Sequence, residues 1–190
     1  MLFVDICDFT TISAACPPAR VLSWLDSIFS AFDDAVDRRG LETIKTIGDS
    51  YMTAGGLRSS AEDHLDVMVD LALDLLDTAA SFPAHDGTMP RVRIGIHVGP
   101  VIAGVVGSRR FLYDLWGDTV NTASRMESLG VPGAIQVTEA VQRRLKDRYE
   151  FSRRDTIDVK GKGRMGAWLV AGRRGHKPAL AEPVVAAVAA

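Results

Sequence analysis

The sequence has little of what marks secreted, membrane-spanning or nucleic-acid-binding proteins. Its 190 residues include only two cysteines, Cys7 and Cys16, too few for a disulfide framework or a cysteine metal site. No apolar run reaches the roughly 18 residues of a membrane helix, and residues 1–5 lack the basic start of a signal peptide. The net charge is only −2, which gives no bulk attraction for nucleic acid or anionic lipid. We therefore expect a soluble, cytoplasmic protein with no membrane segment and no nucleic-acid partner.

The composition is that of one globular domain, with 47% hydrophobic and 24% charged residues. We place this domain at residues 1–171. Residues 172–190 are rich in Ala, Val and Pro and carry no helix caps, so we expect a flexible tail there.

The apolar spacing predicts an α+β fold with the order β-α-β-β-α-β. The strands are predicted at residues 1–5, 41–47, 51–55 and 91–99, and the helices at 17–40 and from a capping box at 60–63 to Pro83. This order is ferredoxin-like, an antiparallel sheet with its helices on one face. Residues 101–106 are expected to pair with strand 91–99 as a hairpin. A C-terminal αβαββ extension follows, with a helix at 117–129, a strand at 134–137, a helix at 139–146 and a closing hairpin at 151–170.

Two aspartates are candidates for metal binding. Asp5 ends the first predicted strand and Asp49 occupies the turn of the next hairpin, so the fold could bring both to one end of the sheet. Carboxylates completed by a backbone carbonyl and substrate phosphates are a usual way to hold Mg²⁺. The alternative is that Asp5 caps a helix and Asp49 is an ordinary turn residue.

Phosphate contacts are candidates at three places. Backbone amides in the turn at residues 6–10 could cradle phosphate oxygens, although Thr10 is also an ordinary helix cap. Lys160 lies in a basic turn and could reach a polyphosphate, and Arg109 follows a Gly-Ser pair in a similar setting. Both are equally compatible with solvated turns.

The segment at residues 113–127 is the most informative. Asn121 and Arg125 are four residues apart and share one helix face, where an amide suits a ribose oxygen and a guanidinium suits a phosphate. A solvated helix face is the alternative. Asp114 could accept from the exocyclic amine of adenine, and Lys45 could contact a base edge or form a surface ion pair.

Five segments together resemble the class III nucleotidyl cyclase catalytic domain. They occur in the family's order over residues 1–171 and lie at residues 3–10, 44–52, 93–100, 113–126 and 159–163. The resemblance implies that Asp5, Asp49 and the Ile6 carbonyl hold two divalent cations, Mg²⁺ or Mn²⁺.

The same resemblance implies the substrate contacts. Lys45 and Asp114 match the pair that reads adenine, where guanylyl cyclases typically carry Glu and Cys. Asn121 matches the ribose-orienting amide and Arg125 the guanidinium that stabilises charge at the α-phosphate. The residues that match phosphate contacts are Cys7, Asp8, Phe9, Thr10, Arg109 and Lys160, with Asp8 replacing a common family glycine.

The implied reaction is that of an adenylyl cyclase. The 3′-oxygen of ATP attacks the α-phosphorus, pyrophosphate is released and cyclic AMP forms. In this family one subunit supplies the metal aspartates and the other the base, ribose and transition-state groups. This chain carries both sets, so the resemblance implies a homodimer with two shared active sites. The alternatives are a guanylyl cyclase, a different nucleotidyl transferase, and a non-catalytic nucleotide-binding dimerisation module.

Overall fold

The structure, a computed structural model, describes residues 1–57, 64–107 and 112–175. The helices are α1 (Phe9–Ala14), α2 (Pro18–Arg38), α3 (His64–Ala79), α4 (Asp118–Ser128) and α5 (Glu139–Leu145). The strands are β1 (Leu2–Ile6), β2 (Glu42–Ile47), β3 (Ser50–Ala54), β4 (Val92–Ile96), β5 (Ile102–Val106), β6 (Leu112–Trp116), β7 (Ile135–Thr138), β8 (Tyr149–Arg153), β9 (Ile157–Val159), β10 (Gly163–Met165) and β11 (Ala167–Arg173).

A seven-stranded sheet with the order β2-β3-β1-β4-β7-β11-β8 forms the centre of the molecule. Its β2-β3-β1-β4 part is antiparallel and confirms the predicted ferredoxin-like βαββαβ core. The predicted C-terminal extension adds β7, β11 and β8. The sheet is mixed rather than wholly antiparallel, because β7 lies parallel to β4 after a crossover that contains α4.

The two faces of the sheet are covered by different elements. Leu2, Val4 and Ile6 of β1 pack with α2 and α3 on one face. Phe3, which points the other way, packs in a second cluster with Ala123 of α4. The expectation of helices on one face therefore holds for α2 and α3, whereas α4 covers the opposite face.

The predicted hairpin between strand 91–99 and residues 101–106 is wrong. Both edges of β4 are occupied, by β1 on one side and β7 on the other, so β5 has no free edge there. Instead β5 pairs with β6 in a separate two-stranded ribbon. The closing hairpin is present as β8 and β11, and the small hairpin β9-β10 is inserted between them.

The ribbon of β5 and β6 exposes large apolar side chains. Exposed fractions are 69% for Ile102, 62% for Val106 and 65% for Leu112. Exposed apolar patches are typical of interaction surfaces. None of the helices in residues 1–57, 64–107 and 112–175 has the length and apolarity needed to cross a membrane.

The predicted domain boundary at residue 171 falls inside β11, which ends at Arg173. The predicted capping box at residues 60–63 and the tail from residue 176 onward lie outside the described residues.

Candidate active site

Asp5 and Asp49 lie at the same end of the sheet. The pairing of β1 with β3 sets Asp5 opposite Ser50, so Asp49 in the β2–β3 turn is its neighbour. Gly48 makes this tight turn possible with a φ of +62°, in the left-handed region that glycine adopts without strain. Partial burial raises the pKa of Asp49, and repulsion from the Asp5 carboxylate adds to that rise. The two carboxylates therefore form one acidic site.

Both oxygens of Asp5 have partners within the chain. The hydroxyl of Ser50 donates to Oδ1 at 2.8 Å, and the guanidinium of Arg93 donates to Oδ2 at 2.6 Å. Arg93 reaches this position because β4 is the other neighbour of β1, with Arg93 directly opposite Asp5. The same guanidinium donates through Nε to Oε1 of Glu127 at 3.3 Å. Arg93 thus links a carboxylate on the sheet to one on α4.

Glu127 is the most deeply placed carboxylate of this group, with a side chain only 8% exposed. Burial raises its pKa to about 7, repulsion from Asp5 adds to the rise, and the hydrogen bond from Arg93 opposes it. Sequence reasoning missed Arg93 and Glu127. A signal existed, since Glu127 is four residues after Ala123 on the buried side of α4, where a carboxylate needs a partner.

The acidic site fits a hard divalent cation. Its side-chain donors are carboxylate oxygens, which Mg²⁺ and Mn²⁺ prefer, and Ile6 at the end of β1 places a backbone carbonyl beside Asp5. In the described part of the chain, no group of three or more His, Cys, Asp or Glu side chains is arranged to hold a metal ion. A cation here would thus need backbone, water or substrate oxygens to complete its shell.

The turn after β1 provides fewer free amides than the sequence suggests. The backbone N–H of Cys7 donates to the carbonyl of Arg91 at 2.8 Å, so this amide is already used. Asp8 takes a left-handed conformation with φ +59° and ψ +21°, and α1 begins at the next residue. The N–H groups of Phe9 and Thr10, in the first turn of α1, have no partner within the helix.

Lys45 and Asp114 form an ion pair although 69 positions separate them. The Lys45 ammonium donates to Oδ2 of Asp114 at 2.5 Å, and the N–H of Leu115 donates to Oδ1 at 2.8 Å. Slight burial raises the pKa of Asp114, but these hydrogen bonds and the Lys45 charge outweigh it and hold the pKa below its usual range. Together the side chains present an ammonium donor and a carboxylate acceptor at one place.

Asn121 and Arg125 project from the exposed face of α4, one turn apart. Within residues 1–57, 64–107 and 112–175, neither side chain has a hydrogen-bonding or ion-pair partner. Lys160 is exposed in the β9–β10 turn, and Lys162 of that turn pairs with Asp118, the first residue of α4. The basic turn is therefore attached to the helix that carries Asn121 and Arg125. Arg109 lies outside the described residues.

Known proteins resemble this chain over nearly its whole length. A curated adenylate cyclase of Mycobacterium tuberculosis (strain H37Rv) is 48% identical over 174 residues, which are 92% of this chain and 39% of that protein. The chain thus spans about two fifths of the length of these curated relatives.

The solved structures that share the fold include two with a bound nucleotide. The guanylate cyclase domain of RhGC from Catenaria anguillulae, in complex with GTP, has a TM-score of 0.87 and 35% identity, with 91% of this chain and 95% of that chain covered. The catalytic core of a rhodopsin-guanylyl cyclase with converted specificity, in complex with ATPαS, has a TM-score of 0.86 and 37% identity, with 90% and 94% covered. A family model described as adenylate and guanylate cyclase catalytic domain matches residues 1–172. The chain belongs to this cyclase family.

Proposed function

We propose that this domain is an adenylyl cyclase that converts ATP into 3′,5′-cyclic AMP and pyrophosphate. The observation that carries the choice of substrate is the Lys45–Asp114 pair. The Watson–Crick edge of adenine offers an acceptor at N1 and an amino donor at N6, which an ammonium and a carboxylate complement. Guanine offers an acceptor at O6 and donors at N1 and N2, so a lysine would face a donor. The 48% identity to an adenylate cyclase supports the same choice.

In the proposed mechanism the protein positions one flexible molecule for an in-line attack. Asn121 orients the ribose, and Arg125 stabilises the charge that grows on the α-phosphate as the bond to pyrophosphate breaks. Lys160 and the amides of Phe9 and Thr10 hold the rest of the triphosphate. Divalent cations at Asp5, Asp49 and the Ile6 carbonyl would lower the pKa of the 3′-hydroxyl and offset triphosphate charge.

The proposal includes a homodimer with two shared active sites. Three observations support it: the exposed apolar ribbon of β5 and β6, the outward-facing Asn121 and Arg125, and the presence of both residue sets in one chain. The metal carboxylates of one copy would complete a site with the base and ribose contacts of the other. We also infer a cytoplasmic setting, because ATP is abundant there and both cysteines are free thiols.

Product analysis tests the activity directly. Purified protein is incubated with ATP or GTP and either Mg²⁺ or Mn²⁺, and the products are identified by mass and chromatographic retention. We expect cyclic AMP and pyrophosphate in equal amounts from ATP, and much less cyclic GMP from GTP. An Asp49→Asn variant should lose nearly all of this activity. Nucleotide binding without turnover under every condition would instead identify a binding and dimerisation module.

Guanylyl cyclase activity is the second candidate. It is favoured by the similarity to a guanylate cyclase domain solved with GTP. A preference for GTP in the same assay would support it and would contradict the adenine-reading role of Lys45 and Asp114.

A further inference from the structure

We propose that Asp118 and Lys162 are positioning residues, which hold the β9–β10 turn against α4 and thereby keep Lys160 beside the first turn of that helix. The inference rests on the proposed function, because it takes Lys160 to be a contact of the triphosphate. Asp118 and Lys162 themselves have no contact with the substrate in that proposal.

The open end of the β9–β10 hairpin is fixed at the C-terminal part of α4. Arg154, which precedes β9, donates to the carbonyl of Leu129, the residue that caps the C-terminus of α4. An apolar cluster joins the same parts of the chain. Its members are Met126, Ile157, Val159, Met165 and Ala167. The hairpin is therefore packed on the helix before any contact at its tip is considered.

The tip of the hairpin is attached at the opposite end of α4. The Lys162 ammonium donates to Oδ2 of Asp118, the first residue of the helix. The 11 residues of α4 span about 16 Å, so the two attachments are about one helix length apart. The strands β9 and β10 have only three residues each, and so short a hairpin has little rigidity of its own. The Asp118–Lys162 pair therefore limits the movement of the tip.

The turn passes the position of Lys162 on to Lys160 over a short distance. The N–H of Lys162 donates to the carbonyl of Val159 at 2.8 Å, so residues 159–162 form a closed turn. Gly161, between the two lysines, has a φ of +83°, in the left-handed region that glycine adopts without strain. A turn held at Lys162 restricts where the backbone of Lys160 can lie.

The ion pair also gives the two lysines different roles. Asp118 neutralises Lys162, whose side chain is 29% exposed. Lys160 is exposed, and in the described part of the chain it has no ion-pair partner. Lys160 is therefore the ammonium of this turn that is available to an anion. Because Asn121 follows Asp118 by three residues, the pair keeps this ammonium near the end of α4 that carries the proposed ribose contact.

The test measures two quantities, the KM for ATP and the affinity for inorganic tripolyphosphate with Mg²⁺ by titration calorimetry. Tripolyphosphate has no base or ribose, so its affinity reports on the phosphate contacts alone. Asp118→Asn removes the ion pair, and Lys160→Ala removes the proposed contact. Glu139→Gln is the matched control, because Glu139 is the first residue of α5 and forms an exposed ion pair with Arg143 at 2.7 Å. Circular dichroism and thermal unfolding verify that each variant is folded.

An exchange of the two charges separates a positioning role from direct phosphate binding. Asp118→Lys and Lys162→Glu each bring two like charges together, whereas the combined variant restores an ion pair of the opposite sense. Rescue in the combined variant is expected only if the contact between the two side chains matters. A Lys162 that binds phosphate itself could not be replaced by a glutamate in this way.

We expect Asp118→Asn to raise the KM for ATP and to weaken tripolyphosphate binding about two- to fivefold, the size that an exposed ion pair can contribute. Each single exchange should have a larger effect, and the combined variant should recover most of the loss. Lys160→Ala should weaken binding about tenfold or more, as expected for a charged hydrogen bond. Glu139→Gln should match the wild type. The kcat should change less than the KM, because Asn121 and Arg125 keep their places on α4.

Three results overturn the inference in different ways. If Lys160→Ala weakens binding while Asp118→Asn matches the wild type, Lys160 is a phosphate contact that the ion pair does not position. If the combined exchange is as weak as Lys162→Glu, Lys162 binds phosphate directly. If Lys160→Ala changes neither quantity, the role of Lys160 in the proposed function is wrong, and the inference fails with it. Should an exchange variant not fold, Asp118→Asn beside Glu139→Gln is still a complete test.

Discussion

Asp8 has a backbone conformation that is unfavourable for a residue with a side chain. Among the described residues it is the only non-glycine with positive φ, at +59°. The left-handed conformation costs an L-residue roughly 1–2 kcal/mol, less for Asp than for most. The family glycine at this place is therefore explained by geometry. The aspartate also places a negative charge beside the proposed binding site of the triphosphate.

We predict that Asp8→Gly lowers the KM for ATP, because it removes this charge, and raises the free energy of unfolding by up to about 1 kcal/mol. Steady-state kinetics and urea unfolding measure the two effects. Asp8→Asn is the control, since Asn also tolerates the left-handed region but is neutral. It should reproduce the kinetic effect with a smaller gain in stability. A KM that is unchanged in both variants would remove the turn from the phosphate site.

Base preference is a second property of individual residues. We predict that Lys45→Glu combined with Asp114→Cys shifts the preference from ATP toward GTP, because the acceptor and donor positions then suit guanine. The ratio of cyclic GMP to cyclic AMP at equal substrate concentrations measures the shift. Arg39→Glu with Asp74→Cys is a matched control that breaks another 2.5 Å ion pair. An unchanged preference for ATP in the Lys45/Asp114 variant would refute this assignment of the base pocket.

The candidate site residues could be named from sequence to different degrees. Lys45 and Asp114 could be named through the family resemblance, and the structure adds that they touch each other. Arg93 and Glu127 could not be paired from sequence, because their contact depends on the register of β4 with β1 and on how closely α4 packs. Periodicity gives the side of a strand on which a residue lies, but not its partner across an interface.

At the scale of elements, the packing of α4 on β4 depends on Gly95. We predict that Gly95→Ala destabilises the domain by about 1–3 kcal/mol, the usual cost of overpacking, because the new Cβ would meet backbone atoms of α4. The displaced helix should also lower kcat through Asn121 and Arg125. Gly104→Ala is the control, since its Cβ would meet only the Trp116 ring at 3.5 Å. Urea unfolding and kinetics of both variants measure the difference, and equal stability would contradict it.

Local periodicity predicted elements better than it predicted pairing. The long helix after Pro17 and the hairpin around Asp49 were confirmed because proline, glycine and apolar spacing act within a few residues. The partner of β5 was predicted wrongly because the choice depends on distant β7, which takes the free edge of β4. The small β9–β10 hairpin was missed for a similar reason, since it is inserted within a longer strand pair.

At the scale of the whole molecule, the shared-site proposal predicts complementation. Asp5→Ala and Arg125→Ala chains should each be nearly inactive alone, because every homodimer lacks the same group at both sites. Mixing and re-equilibrating them in equal amounts should restore about a quarter of the wild-type rate, since half of random dimers are mixed and each has one intact site. The rate of cyclic AMP formation after mixing is the measurement.

The control for complementation is a chain that carries both substitutions, mixed with the Arg125→Ala chain. No pairing of these two chains makes a complete site, so no activity should return. Failure of the Asp5→Ala and Arg125→Ala mixture, with dimers verified by light scattering, would show that each site lies within a single chain.

The exposed ribbon of β5 and β6 has a consequence for control of the proposed cyclase activity. If its apolar side chains hold two copies together, specific activity should fall on dilution, even though every catalytic group is intact. Any fused segment that tethers two copies would then raise their effective concentration and switch the reaction on without contacting the nucleotide. The activity of such a domain can be controlled entirely by how close two copies of it are held.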